Sequence, residues 1–403
     1  MTPGIVIAGA GYCGVCAARA AREAGYDGQI TVIGDDPEWP YERPPLSKWD
    51  GVAPRLQPIF AEDWYAGNNV DLRRGIRVTG IDRAARTVAL GTGEVLQYAH
   101  LLLATGASPR RLHANAVPGA RPSYLRSYSD AQMLAQGISA GADVLIIGGG
   151  FIGLELAATL AARKAFVHVV EAQDRILARA VPSDISKMVL DLHLDRGVTV
   201  HTGTAVDAIN NGVAFLSSGQ SVRAEHVIVG IGSVPNTDLA VDAGLRADNG
   251  ISVNERFVTQ DPDIFAAGDC CNVPIAGAGR ARFESWQVAG DQGRFAGQVM
   301  AGARPDPLSP PWFWSDQFGH SLQVVGQPSM GTQTVLRRLP QGGMIAIETR
   351  ADGQIAYAAG FAPGNAVGRD IKIIQRLMDG GVVADPTLLS DPDTPLKAIL
   401  KRR

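Results

Sequence analysis

Apolar runs broken by glycine turns organise the first half of the chain. Gly4-Ile5-Val6-Ile7-Ala8 runs into Gly9-Ala10-Gly11 and on into an alanine-rich stretch. The same order returns at Asp143-Val144-Leu145-Ile146-Ile147, Gly148-Gly149-Gly150 and an apolar stretch to about Arg163. Each predicts a buried strand, a tight turn and a helix. A second strand follows each helix: Gln29 to Ile33 ends at Gly34-Asp35-Asp36, and Phe166 to Val170 ends at Glu171. Further strand-like segments are Val70-Asp71-Leu72, Thr87 to Leu90, and His100 to Ala104, which runs into Thr105-Gly106-Ala107. The second half adds a helix over Asp184 to Arg196, then strands at Val198 to Val200 and Glu225 to Gly232. The stretch from Pro109 to Asp130 reads as loop-rich.

The pattern then changes. Asp263-Ile264-Phe265-Ala266-Ala267-Gly268-Asp269 is an apolar strand ending in Gly-Asp, well past the point where the first domain looks complete, so the chain is expected to return there. Beyond Arg304 a proline-rich linker leads to Trp312-Phe313-Trp314-Ser315-Asp316-Gln317. Alternating segments follow (Leu322 to Val325, Thr332 to Leu336, Met344 to Glu348, Ile355 to Ala358), then a helix over Asp370 to Met378. This predicts a separate α+β end domain.

The two glycine patterns, Gly9-Ala10-Gly11-Tyr12-Cys13-Gly14 and Gly148-Gly149-Gly150-Phe151-Ile152-Gly153, sit between strand and helix, the context that dinucleotide binding requires. The first glycine makes the turn, the second admits a pyrophosphate, and the third lets helix and strand pack closely. The helix end supplies free N–H groups and partial positive charge. Asp35 or Asp36 in the first unit and Glu171 in the second are placed to take a ribose diol. Glu171 would repel a 2′-phosphate, which favours NADH over NADPH. Gly268 and Asp269, and the Ala104-Thr105-Gly106 turn, complete the candidates for the first nucleotide. Repetition of the whole plan implies two similar domains facing each other, with ligands able to meet.

At 403 residues the chain suits two or three domains. A net charge of −3 gives no reason to expect nucleic acid. Residues 4–18 and 144–162 are apolar enough to imitate targeting or membrane segments, but the first lacks a basic leader and the second contains Glu155. A cytoplasmic chain off the membrane is expected. Four cysteines are too few for a disulfide framework. Cys13 and Cys16 have redox CxxC spacing inside the first fingerprint, so they either pack beneath the nucleotide or act as a dithiol. Cys270 and Cys271 read as filler. Trp39 to Lys48 is a proline-stiffened loop that cannot be helix or central strand, suited to an active-site wall.

With PYERPPLSK (Pro40 to Lys48), LLLATGASPR (Leu101 to Arg110), YLRS (Tyr124 to Ser127), FAAGDC (Phe265 to Cys270), FESWQ (Phe283 to Gln287) and PWFWSDQ (Pro311 to Gln317), the chain resembles the FAD-dependent, NADH-using ferredoxin reductases of bacterial cytochrome P450 and ring-hydroxylating dioxygenase systems, within the glutathione-reductase-like superfamily. The resemblance covers essentially the full length. It implies an α/β fold: an FAD domain over 1–108 and 242–317, an NAD domain over 109–241, both Rossmann-like, and a C-terminal α+β domain over 318–403. It implies FAD contacts from Gly9, Gly11, Tyr12, Cys13, Gly14, Asp35 or Asp36, Arg43, Lys48, Val78, Arg126 and Asp269, with Glu284, Ser285 and Trp286 near the flavin ring. It implies NADH contacts from Gly148, Gly150, Phe151, Ile152, Gly153, Glu155, Glu171, Arg179 and Gly232.

NADH gives two electrons together and an iron–sulfur protein takes one, so the resemblance leaves the hard step to FAD, with orientation and charge from the protein. Lys48 and Glu155, one from each nucleotide domain, are expected to pair beside the flavin; the alternative is an ordinary salt bridge between domains. Disulfide-reducing relatives relay electrons through cysteines near the flavin, but no cysteine lies between Cys16 and Cys270. Electrons are then expected to leave directly for a [2Fe-2S] ferredoxin. Trp286, Trp312 and Trp314 are candidates to cover the flavin and line the exit, or plain packing. A transient basic docking face could come from Arg73 and Arg74, Arg110 and Arg111, or Arg337 and Arg338. Monomer or weak homodimer is expected. The competing functions are the same fold reducing rubredoxin or a small molecule, and an NADH-sensing interaction protein of the apoptosis-inducing-factor kind.

Overall fold

Strands that are apolar on both faces must be covered on both sides, which parallel sheets flanked by helices achieve. In the computed structural model, which describes residues 3–49, 51, 53–112, 121–275, 279–328 and 330–400, Gly4–Ala8 and Ile30–Ile33 are buried along their whole length. The chain forms two units: Met1–Arg43 with Leu56–Ser108 and Ser233–Leu308, and Pro44–Arg55 with Pro109–Gly232 and Ser309–Arg403.

In the first unit the parallel order is Val70–Arg73, Ile30–Ile33, Gly4–Ala8, Val95–Leu103. Val95–Leu103 does two jobs. Its early residues pair antiparallel with Thr87–Leu90, while Leu101, Leu102 and Leu103 pair in parallel with both Gly4–Ala8 and the late strand Ile264–Ala266. The chain therefore does return to its first sheet, bringing Gly268 and Asp269 with it. The helix Trp286–Met300 follows and lies against Tyr12–Glu23 with backbone in contact. A Cβ added at Gly293 would stand 2.2 Å from the Cys13 carbonyl oxygen, and one at Gly297 would stand 2.2 Å from that of Ala17.

In the second unit the parallel order is Thr199–Thr202, Phe166–Glu171, Asp143–Ile147, His226–Val229. The C-terminal region adds a five-stranded antiparallel sheet, ordered Trp312–Gln317, His320–Gly326, Ile355–Pro363, Met344–Thr349, Gln333–Arg338, with helix Gly368–Asp379 on it. This region has its own apolar cluster around Ile345, Ile371 and Leu377. It shares a second cluster, including Tyr357 and Phe361, with Val169 of the nucleotide-type sheet and with Leu154 and Ile185 of helices Phe151–Ala162 and Ser183–Asp195.

Two local features differ from the sequence reading. Pro44–Ser47 is one turn of 3₁₀ helix; prolines fit at its start because the first turn needs no N–H partner. Helix Tyr128–Gly137 begins within the last residues of the stretch read as loop-rich, started by a capping box in which Ser127 and Asp130 exchange hydrogen bonds. The chain crosses back to the first unit at Ser233. Asn236 explains that crossing, since its amide donates to the Thr105 carbonyl at 2.8 Å and its carbonyl receives the Thr105 hydroxyl at 2.7 Å.

The helix contact is directly testable. Gly293→Val puts three carbons against a backbone carbonyl, and a loss of about 1–3 kcal/mol is expected from overpacking. Chemical denaturation checks it, and unchanged stability would refute the tight helix pairing.

Candidate functional site

Both glycine turns repeat one geometry. Gly9 has φ +123° and Gly148 φ +113°, conformations that admit glycine at little cost. A Cβ at Gly9 would lie 2.1 Å from the Ala104 carbonyl oxygen, and one at Gly148 2.4 Å from that of Gly230. The third glycines are as tight, with Gly14 2.0 Å from the Gly9 oxygen and Gly153 2.2 Å from the Gly148 oxygen. The middle glycines are the opposite. A Cβ at Gly11 meets nothing within 4 Å, and one at Gly150 meets only the Gly230 oxygen at 3.9 Å. Each opens onto space at the start of a helix that has no side-chain cap, Tyr12–Glu23 and Phe151–Ala162. Bare N–H groups facing an open cradle fit a pyrophosphate.

The acidic ends of the second strands are not equivalent. Ala8 pairs with Ile33 and Ile147 with Val170, so the next residues, Gly34 and Glu171, hold the same position. Glu171 accepts the Gly149 N–H at 2.7 Å and the Gln173 N–H at 2.8 Å, which ties the acid to the glycine turn. In the first unit the acid comes later. Asp36 accepts the Tyr41 hydroxyl at 2.7 Å and the Glu38 N–H at 3.2 Å, shaping the loop. Asp35 is exposed, 2.8 Å from Arg77.

Glu155 is the buried acid of the second unit. One helical turn separates it from Thr159, so both face the same way. Thr159 donates to the Ser47 carbonyl at 2.7 Å, and Ser47 donates its hydroxyl to Glu155 Oε2. The Lys48 ammonium lies 3.0 Å from Oε1, and the Ser315 hydroxyl donates to the same oxygen at 2.6 Å. The Lys48–Glu155 pair is therefore formed, but within one unit rather than one residue from each, because these bonds dock Pro44–Arg55 onto helix Phe151–Ala162. Burial pushes the Glu155 pKa up, and Lys48, Ser315 and Ser47 oppose it.

Other expected residues are also brought together. Trp286 stacks on Tyr12, with ring centroids 3.9 Å apart and planes 10° apart. Arg179 Nη2 reaches to 3.9 Å from the Cβ position of Gly232. Glu284 pairs with Arg282 at 2.6 Å, and Ser285 precedes helix Trp286–Met300 as its N-cap. Phe151 packs edge-on to Phe313, 4.8 Å between centroids, while Ile152 is exposed. Val78 sits half-buried on strand Val78–Asp82, while Arg43 and Arg126 are also half-buried. Sequence reasoning missed Gln292, whose buried amide oxygen accepts the Gly268 N–H at 2.8 Å and fixes the turn before Asp269. Its only signal was a polar residue among the glycines of Trp286–Met300.

With this geometry in place, comparison with known proteins is decisive. A pyridine nucleotide-disulphide oxidoreductase model matches residues 3–293, and a reductase C-terminal model matches residues 312–400. The chain belongs to the pyridine nucleotide-disulphide oxidoreductase family. It is 38% identical over 98% of both chains to the ferredoxin–NAD(+) reductase component of an anthranilate 1,2-dioxygenase system from Burkholderia cepacia. It is 40% identical to rhodocoxin reductase of Rhodococcus erythropolis, over 85% of this chain and 82% of that one. Among solved structures it is similar to putidaredoxin reductase in covalent complex with putidaredoxin, with TM-score 0.91 and 32% identity over 99% of this chain and 98% of that one.

Despite the family's name, this pyridine nucleotide-disulphide oxidoreductase has four free, buried cysteines. Burial raises the Cys13 thiol pKa well above its usual value and pushes Cys16 up to about 11. Neither is a thiolate near neutral pH, so packing rather than dithiol chemistry fits the pair.

Three residues of the expected basic clusters are otherwise engaged. Arg337 is buried and donates to the carbonyls of Leu389, Asp391, Pro392 and Thr394, tying down the C-terminal segment. Arg73 is bound to Asp71 and Glu94, and Arg74 to the Pro37 carbonyl and the Trp39 face. Arg110, Arg111 and Arg338 remain exposed. Exposed Arg369 and Lys372, unremarked in the sequence, border a cavity of about 710 Å³ with Trp312 and Trp314. Those indoles stack at 5.2 Å, with Lys372 Nζ 5.2 Å from the Trp312 ring and Lys48 Nζ 5.9 Å from that of Trp314.

The Glu155 environment makes stability pH-dependent. Its folded pKa lies above the unfolded value of about 4.3, so the folded chain holds the proton to higher pH. The contribution is present in full below the unfolded value and is lost as pH rises through the folded one. Lys48→Met removes the main opposing charge, so the loss should deepen with rising pH, reaching about 3 kcal/mol or more near neutrality. Urea unfolding across pH checks this, and a loss equal at every pH would contradict it.

Proposed function

We propose that this protein is an FAD-dependent oxidoreductase that takes electrons from NADH and delivers them singly to a [2Fe-2S] ferredoxin serving a cytochrome P450 or a ring-hydroxylating dioxygenase. The observation that carries this reading is the pair of matched, open glycine cradles in a chain whose cysteines are all buried thiols. Two dinucleotides are accommodated and a sulfur relay is not. The ferredoxin-reductase names of its relatives support the same acceptor class.

FAD is assigned to the first cradle, with the helix start at Gly11 to Gly14 facing the pyrophosphate. Asp35 is the acid for its ribose, because Asp36 is committed to Tyr41 and Glu38. The Ala104-Thr105-Gly106 turn and the Gly268-Asp269 turn, braced by Asn236 and Gln292, complete this side. When bound, FAD supplies the conversion of a two-electron donor into one-electron output. NADH is assigned to the second cradle, where Glu171 takes the ribose diol and disfavours a 2′-phosphate. Arg179 and Gly232 are placed on the same nucleotide. Lys48 and Glu155 hold opposite charges fixed where the resemblance puts the flavin's reactive edge, and this buried pair resists the swings that solvent would allow.

For the acceptor we assign the face around Trp312 and Trp314, whose rim carries Arg369 and Lys372. Basic residues beside half-buried indoles suit a weak, salt-sensitive encounter with an acidic protein. We place the protein in the cytoplasm, where reduced thiols such as its four are maintained. Among the described residues no helix is long and apolar enough to cross a membrane.

Rapid mixing tests the reading. Under anaerobic conditions NADH is expected to bleach the visible absorbance of the FAD-loaded protein, and a [2Fe-2S] ferredoxin to restore it, more slowly at high salt. Absorbance unmoved by NADH, or restored as fast without ferredoxin as with it, would overturn it.

A further inference from the structure

Glu155 is the end of a longer buried chain. Ser315 Oγ lies 2.6 Å from Glu155 Oε1, Gln317 Nε2 lies 3.0 Å from Ser315 Oγ, and His193 Nε2 lies 2.7 Å from Gln317 Oε1. Ser315, Gln317 and His193 are all buried. Ser315 and Gln317 are two apart on strand Trp312–Gln317, hence on one face, and His193 comes from helix Ser183–Asp195.

The direction of every bond follows from the acid. An ionised carboxylate only accepts, so Ser315 must give it its single proton. Ser315 can then only accept from Gln317, which turns the amide NH2 toward Ser315 and the amide oxygen toward His193. His193 must therefore donate its Nε2–H. Its Nδ1 is left as a lone pair, and that atom is buried with no hydrogen-bond partner. Phe318 covers the ring edge-on at 5.1 Å, with the Arg196 guanidinium on that phenyl ring, so a second proton on His193 is disfavoured. Burial lowers the His193 pKa, in keeping with a neutral ring.

We propose that Ser315, Gln317 and His193 are positioning residues that form a one-way donor chain, holding Glu155 ionised and oriented toward Lys48. Three aligned dipoles with their positive ends toward the carboxylate offset part of what burial costs the anion. Protonation of Glu155 would lift that constraint, since a carboxylic acid both donates and accepts and no longer fixes the direction in which Ser315 turns its proton. The chain thus ties the tautomer of a remote histidine to the charge of Glu155. Other charged groups on elements packed against the Glu155 helix are placed differently. Asp316 lies exposed on the opposite face of its strand, and Glu171 is bound to the second glycine turn. His168 contacts His201, and Asp143 pairs with Arg223. Lys48 is the cation in contact.

The importance of this chain to electron transfer rests on the function proposed above, but its effect on Glu155 does not. The test therefore uses the full-length protein without nucleotides or acceptor. Nitrogen-15 NMR of the histidines, with His193 assigned by substitution, is expected to show His193 as the Nε2–H tautomer at neutral pH. The Nδ1–H tautomer or a doubly protonated ring would overturn the proposal. Infrared difference titration of the Glu155 carboxyl band, identified by its loss in Glu155→Gln, gives a second reading. Ser315→Ala should raise the midpoint by about one pH unit or more, Gln317→Leu should raise it less, and Ser315→Thr should restore it. A midpoint unmoved by both losses, or raised equally by Ser315→Thr, would also overturn it. Failure of NADH to reduce the FAD-loaded protein would instead count against the function and leave these two readings intact.

Discussion

The structure depends on a crossing of backbones that leaves no room for side chains. At Gly9 and Gly148 the chain turns so close to a neighbouring carbonyl that a Cβ would overlap it, and at Gly14 and Gly153 the helix passes as closely over that turn. The same closeness that forbids side chains delivers the first N–H groups of each helix to open space. A phosphate is then met by backbone alone, with the helix dipole behind it. In the first unit the constraint reaches further, since Trp286–Met300 can lie on Tyr12–Glu23 only because Gly293 and Gly297 face the Cys13 and Ala17 carbonyls. That contact also sets Trp286 on Tyr12.

In the second unit, helix Phe151–Ala162 has two roles. Its start forms the glycine cradle, and one turn on, Glu155 and Thr159 anchor the Pro44–Ser47 turn and strand Trp312–Gln317. A buried carboxylate is costly unless nearly every lone pair is used. Ser47 and Lys48 from one stretch of chain and Ser315 from another meet that requirement, so the acid also acts as a joint. Geometry of this kind keeps a charge pair fixed while the flexible arms of ordinary surface pairs do not.

The nucleotide turns were legible because their signal is local: strand, glycines and helix lie within about twenty residues. The Lys48–Glu155 pair was anticipated from loop rigidity and family resemblance, but its setting was not, since Thr159 and Ser315 reveal their role only when the strands are placed. Arg337 shows the converse limit. In sequence it is half of a basic doublet, whereas its strand turns it inward, where four carbonyls need a donor. Strand alternation offered the clue, because Val335 and Arg337 share one face and both are buried. The start of helix Tyr128–Gly137 was announced by Ser127 and Asp130, at the end of the stretch read as loop-rich. Gln292 and Asn236 left almost no trace, because each acts on backbone groups distant in sequence.

The central claim is that two separate cradles each hold one dinucleotide. Isothermal titration calorimetry with FAD and with NAD⁺ tests it most directly on Gly11→Val and Gly150→Val, since both side chains would enter open space rather than the packed core. The account requires Gly11→Val to lose FAD while retaining NAD⁺, and Gly150→Val to lose NAD⁺ while retaining FAD. Loss of both nucleotides from either folded variant, or of neither, would contradict it.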